Sequence, residues 1–112
     1  MIPNYNTVYT DWYPGRTVSW VPGDTEAMYK YNIKHRRSEL ICNGWLDYTQ
    51  FTYQFNSLGF RCNEFTSESS IMFLGCSYTL GTGLPLETIW PELISAQLKM
   101  QCVNLGVGGG SC

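Results

Sequence analysis

The sequence predicts an α/β chain whose second half holds a strand–helix–strand unit. Three observations carry this. The apolar run Ile71-Met72-Phe73-Leu74 stops abruptly at Gly75-Cys76-Ser77, which reads as a short buried strand running into a tight loop just before a helix. Trp90, Leu93, Ile94 and Leu98 recur at helical spacing, with Glu92, Gln97 and Lys99 between them. A second apolar run, Cys102-Val103-Asn104-Leu105, leads into Gly106-Val107-Gly108-Gly109-Gly110-Ser111, a backbone with few steric limits. Strand, helix and strand in that order form a βαβ unit, with parallel strands and a right-handed crossover. That geometry brings Ser77 and the glycine loop out at the same sheet edge, where α/β folds bind their ligands.

Residues 1–70 read as an aromatic-rich extension with short strands, and 71–112 as the start of an incomplete domain. Pro14-Gly15, Pro22-Gly23 and Asn43-Gly44 punctuate the extension. A helix is expected over 25–40, capped by Asp24 or Thr25, with Met28, Tyr29 and Ile33 as a partial apolar face. Phe51-Thr52-Tyr53-Gln54-Phe55 alternates strictly and predicts a half-buried strand. Asn56-Ser57-Leu58-Gly59 then turns the chain, and Phe60-Arg61-Cys62-Asn63-Glu64 returns as a short extended piece. The polar stretch 66–70 links to the strand at 71–74. Before the second strand, Thr88 is expected to cap a helix with Pro91 in its first turn, where a missing N–H is not needed.

Composition narrows the function classes. At 112 residues the chain suits one small domain, and 44% hydrophobic against 14% charged residues indicates a packed core rather than disorder. A net charge of −2 gives no electrostatic reason to expect a nucleic-acid or membrane partner. The basic cluster of Lys30, Lys34, His35, Arg36 and Arg37 reads as a solvated face. With no membrane-length apolar run and no signal peptide at the start, the expected compartment is the cytoplasm. The cysteines at 42, 62, 76, 102 and 112 lack C-x-x-C spacing, so reduced, mostly buried thiols are expected rather than a metal or redox site.

Acyl transfer needs a nucleophile and hydrogen-bond donors aimed at the developing oxyanion. A serine at a strand tip and a glycine loop past the next strand supply these two parts. Here the residues resemble a family. Phe73-Leu74-Gly75-Cys76-Ser77-Tyr78-Thr79-Leu80-Gly81-Thr82-Gly83 resembles the first block of the SGNH (GDSL-type) serine hydrolases, and Asn104-Leu105-Gly106-Val107-Gly108-Gly109-Gly110-Ser111 their second. Glu87-Thr88-Ile89-Trp90-Pro91-Glu92-Leu93 and Leu98 fit the family's first helix, and Asn56-Ser57-Leu58-Gly59-Phe60-Arg61-Cys62-Asn63-Glu64 resembles a segment found upstream in some members.

The resemblance covers roughly 51–112. It implies the first βαβ unit of a flavodoxin-like three-layer α/β/α sandwich, with Ser77 as nucleophile and the N–H groups of Ser77 and Gly109 as oxyanion donors. It implies no metal or organic cofactor, and a small ester or acylated carbohydrate as substrate. Cys76 stands where many members carry Asp. The family's third donor, an asparagine, and its acid and base, an Asp and a His, have no counterpart in the chain. The one histidine, His35, precedes the serine and has Asn32 three residues before it, so it reads as a surface imidazole. The 112 residues alone are therefore expected to hydrolyse esters weakly or not at all, and an uncovered apolar face invites self-association.

Two other readings compete. Ser77 and the glycines could be a cap and turn chemistry alone. The aromatic first half could form a non-catalytic carbohydrate-binding or assembly module, since Tyr and Trp offer flat apolar faces with a polar handle. A nucleotide site is disfavoured, because the Lys-Ser/Thr pair of a P-loop is absent after Gly81.

Overall fold

β3 (Ser70–Phe73) and β4 (Gln101–Asn104) run parallel, with Ser70 opposite Gln101 and Phe73 opposite Asn104. The helix α4 (Trp90–Leu98) lies between them in sequence, so the chain forms the expected βαβ unit and is of the α/β class. The computed structural model describes residues 12–46 and 51–109. Gly110, Ser111 and Cys112, the end of the glycine loop, lie outside the described residues.

Upstream, β1 (Thr17–Val18) pairs antiparallel with β2 (Tyr53–Gln54). The alternation at 51–55 is real, with Tyr53 and Phe55 buried and Thr52 and Gln54 exposed, although only two residues join the ladder. The return piece at 60–64 is no strand. Asn56 replaces the ladder there, accepting from the Leu58 and Phe60 amides and donating to the Asn63 carbonyl. Val21, Tyr53, Phe55 and Leu80 form the core, flanked by half-buried Trp12, Tyr13, Val18 and Phe51.

The helix expected over 25–40 divides into α1 (Glu26–His35) and α2 (Arg37–Cys42). Arg36, at φ −129° and ψ 25°, leaves the helical region and breaks it. Thr25 is the cap, its hydroxyl accepting from the Met28 amide at 3.2 Å. Thr88 is not a cap. It closes a short 3₁₀ turn, Leu86–Thr88, and donates its hydroxyl to the Pro85 carbonyl, while α4 starts after Ile89 with Pro91 in its first turn.

The strand at 71–74 was expected to be buried throughout, yet it is covered on one face only. Phe73 points inward against the Trp90 ring, edge-on at 5.1 Å, while Met72 and Leu74 are 60% and 68% exposed. Successive side chains point to opposite faces, so a layer on one side buries every second residue. The apolar stripe of α4 is likewise uncovered: Leu93, Ile94 and Leu98 face outward, and Ile89, Pro91 and Ser95 are buried instead.

Two thiols are locked in the core. Burial holds Cys62 up at about 12 and Cys102 up at about 11, against 9.0 for an ordinary thiol. The unfolded chain ionises these groups first, so stability they contribute below pH 9.0 is lost as pH rises from 9.0 toward 12. Tyr53, raised by burial and by its hydrogen bond to Asp24, acts in the same direction. Thermal melts should therefore fall steeply across that alkaline window, and replacing both cysteines by alanine should flatten the fall. With a colorimetric thiol reagent at neutral pH, exposed Cys42 should react well before Cys62 and Cys102.

Candidate functional site

The β3 strand delivers the chain to Leu74, and α3 (Ser77–Leu80) opens a few residues later with Ser77 as its first residue. Cys76 turns the corner in an extended conformation, and its carbonyl accepts from the Thr79 and Leu80 amides. Ser77 is half-buried, and its hydroxyl is unengaged by the other described residues. Its own N–H, at the start of the helix, also has no intrahelical partner.

The second strand stays in register beyond its ladder. The Leu105 amide donates to the Phe73 carbonyl at 2.9 Å, and the Val107 amide to the Gly75 carbonyl at 3.0 Å. The glycine loop and the serine turn thus leave the sheet side by side. Gly109 follows two residues past Val107, exposed and at φ +75°, a left-handed conformation that favours glycine. Gly108 is needed for a different reason. A Cβ there would stand 2.2 Å from Cη2 of Trp12, whose indole lies on the loop. The two residues named from sequence, Ser77 and Gly109, therefore sit on neighbouring segments at one sheet edge.

Three further residues hold this edge in place. Asn104 is completely buried. Its Nδ2 donates to the Thr79 carbonyl at 2.8 Å and its Oδ1 accepts from the Gly106 amide at 2.9 Å, tying the glycine loop to α3. Arg61 is 1% exposed and grips the other end of α3, donating to the carbonyls of Leu80, Gly81 and Leu84 at 3.1, 2.8 and 2.7 Å. Burial pulls its pKa below the ordinary arginine value, opposed by nearby Tyr53 and the more distant carboxylates of Glu87, Glu92 and Asp24.

The guanidinium also stacks on the Tyr53 ring, 4.5 Å from its centroid. The Tyr53 hydroxyl donates to Asp24 and accepts from the Gly83 amide at 2.8 Å. The loop at 81–84 is thus fixed by a network of buried Arg61 and Tyr53 with half-buried Asp24, reaching from α3 to the start of α1.

No described residue acts on the Ser77 hydroxyl as a base. His35 ends α1 with its ring against Tyr31, centroids 4.5 Å apart, and shares no hydrogen bond with Ser77. Among the described residues no group of three or more His, Cys, Asp or Glu is placed to hold a metal ion. No helix among them is long and apolar enough to cross a membrane.

Sequence reasoning placed Ser77 and Gly109 but missed Arg61, Tyr53 and Asn104 as the groups that position them. The signals were present: an arginine within a turn-rich apolar segment, and an asparagine inside an apolar strand. Both are polar residues where the pattern calls for burial, and such groups need partners. No protein-family model, curated protein or solved structure matches this chain.

Proposed function

We propose that the chain is the amino-terminal part of an SGNH-type serine hydrolase acting on ester or acyl groups, with Ser77 as nucleophile. The observation that carries this reading is the hydrogen bond from the Val107 amide to the Gly75 carbonyl, which keeps the serine turn and the glycine loop adjacent. In this mechanism the Ser77 oxygen attacks the acyl carbon, and its proton passes to a base. The carbonyl oxygen becomes an oxyanion held by the N–H groups of Ser77 and Gly109. An acyl-serine forms as the alcohol leaves, and water then releases the acid. The base and its orienting carboxylate come from outside the 112 residues. No metal or organic cofactor takes part.

The exposed Met72 and Leu74 on one face of β3, and the bare stripe on α4, fit the same reading. In a flavodoxin-like three-layer sandwich, further strands and a second helical layer cover such surfaces.

Chemical rescue tests the proposal on the chain as it stands. Imidazole in solution supplies the missing base, and a fluorophosphonate probe reports the reactive hydroxyl. Labelling should rise with imidazole, map to Ser77 by peptide mass spectrometry, and disappear in Ser77→Ala. Labelling confined to another residue, or unaffected by Ser77→Ala, would sink the assignment.

A further inference from the structure

A cleft of about 630 Å³ opens between α1, α2 and the segment at 51–52 that leads into β2. It falls within the size of small-molecule sites, roughly 300–1,000 Å³. Trp20, Tyr29, Trp45 and Phe51 supply four aromatic rings to its walls, with aliphatic side chains such as Met28 and Ile33 between them. Trp20 and Tyr29 pack together, ring centroids 5.8 Å apart, which holds one wall in a fixed orientation.

Polar side chains interrupt the apolar lining. The side chains of half-buried Asn32, and of Ser19 and Thr52 at the rim, make no hydrogen bond to another described residue. Among the described residues Asp24 is the one charged group in the lining, and it already accepts from Tyr53. Among the described residues no cation lines the cleft.

We propose that this cleft binds an uncharged oligosaccharide. Flat aromatic faces stack on the apolar C–H faces of sugar rings, and unengaged amide and hydroxyl groups match sugar hydroxyls. An aliphatic chain would satisfy the rings but leave the half-buried Asn32 amide without a partner, at a cost. An anionic sugar or phosphate would meet the Asp24 carboxylate with no balancing cation.

Gly83 and Leu84 also line the cleft, and they belong to the loop that leaves α3, the helix beginning at Ser77. If the hydrolase reading holds, the bound sugar is the carrier of the ester presented to Ser77. The binding claim itself does not rest on that reading.

Calorimetry and tryptophan fluorescence on the purified chain test it. The neutral probes are cellohexaose, chitohexaose, xylohexaose and mannohexaose, with hexagalacturonate as the anionic arm and a decanoyl monoglyceride as the apolar arm. At least one neutral hexamer should bind saturably, ahead of both other arms. Trp45 is 56% exposed, so Trp45→Ala should keep the fold, verified by an unchanged melt, and weaken binding at least about five-fold. Asn32→Ala should weaken it as well, and Ser77→Ala should leave it unchanged.

Absence of binding by every neutral hexamer, tighter binding of hexagalacturonate or the monoglyceride, or indifference to both cleft substitutions would overturn the proposal. Loss of probe labelling at Ser77 would defeat the hydrolase reading alone and leave the sugar binding standing.

Discussion

Arg61→Met is expected to destabilise the chain by about 3–5 kcal/mol, the scale reached when several buried carbonyls lose a shared donor at about 1–3 kcal/mol each. The guanidinium serves three carbonyls at once, those of Leu80, Gly81 and Leu84, and lies on the Tyr53 ring. Methionine fills a similar volume, so the experiment isolates the polar contacts from cavity formation. What remains are three carbonyls deprived of the donor that serves them, each costing about 1–3 kcal/mol where water cannot reach. Small domains have total stabilities of about 5–15 kcal/mol, so this change removes a large share.

Arg61→Lys is expected to recover only part of the loss. An ammonium on a flexible stem cannot reproduce a planar fork that spans separate carbonyls. Urea unfolding followed by far-ultraviolet circular dichroism reads both variants. A methionine variant within about 1 kcal/mol of the parent would show that the network is incidental, as ordinary substitutions away from buried networks fall in that range.

The contrast between what was legible in the sequence and what was not follows from range. The strands at 70–73 and 101–104 were read to within one residue, because an apolar run closed by glycine is a local signal. The edge carrying Ser77 and Gly109 followed from strand order alone. Arg61 reaches across 19 to 23 residues to its carbonyls, and Asn104 across 25 to Thr79. No local period encodes such contacts. They become visible only when the topology has brought α3 between the two side chains.

The helix at 25–40 failed in the opposite way. Its composition supports a helix on both sides of Arg36, and the break is a backbone event that no glycine or proline announces. The α4 stripe was legible as a period, and its exposure agrees with the uncovered apolar face expected of an isolated βαβ unit. Periodicity shows that a face is apolar. What covers it depends on chain elements elsewhere, and among the described residues nothing lies over Leu93 and Leu98 closely enough to bury them.

Asn104→Asp should convert the tie between the glycine loop and α3 into a pH-dependent one. The amide orientation is fixed by chemistry: a carbonyl stands at one end, Thr79, and an N–H at the other, Gly106, so only one placement of Oδ1 and Nδ2 satisfies both. A carboxylate accepts from Gly106 as before but faces the Thr79 carbonyl with a negative charge and no proton. Burial favours the neutral acid and raises the carboxyl pKa above its unfolded value of about 3.9.

The protonated acid can donate to Thr79 and restores the tie. The stabilising contribution is therefore present below the unfolded pKa and lost as pH rises through the folded one. The variant should be near parental stability in acid and weaker by about 2–4 kcal/mol at neutral pH, where two buried polar groups are left poorly matched. Asn104→Leu, unable to make either bond, should be weak at every pH. Thermal melts of both variants from acid to neutral pH read the difference directly.

The same pair separates stability from site geometry. Held well below its melting temperature, Asn104→Asp at neutral pH should still lose imidazole-dependent labelling of Ser77, because the bond lost at Thr79 is the one that holds α3, opened by Ser77, to the anchor of the glycine loop. Labelling that survives in a folded variant with the tie broken would mean that the loop holds its donors without Asn104, and that the asparagine serves the core alone.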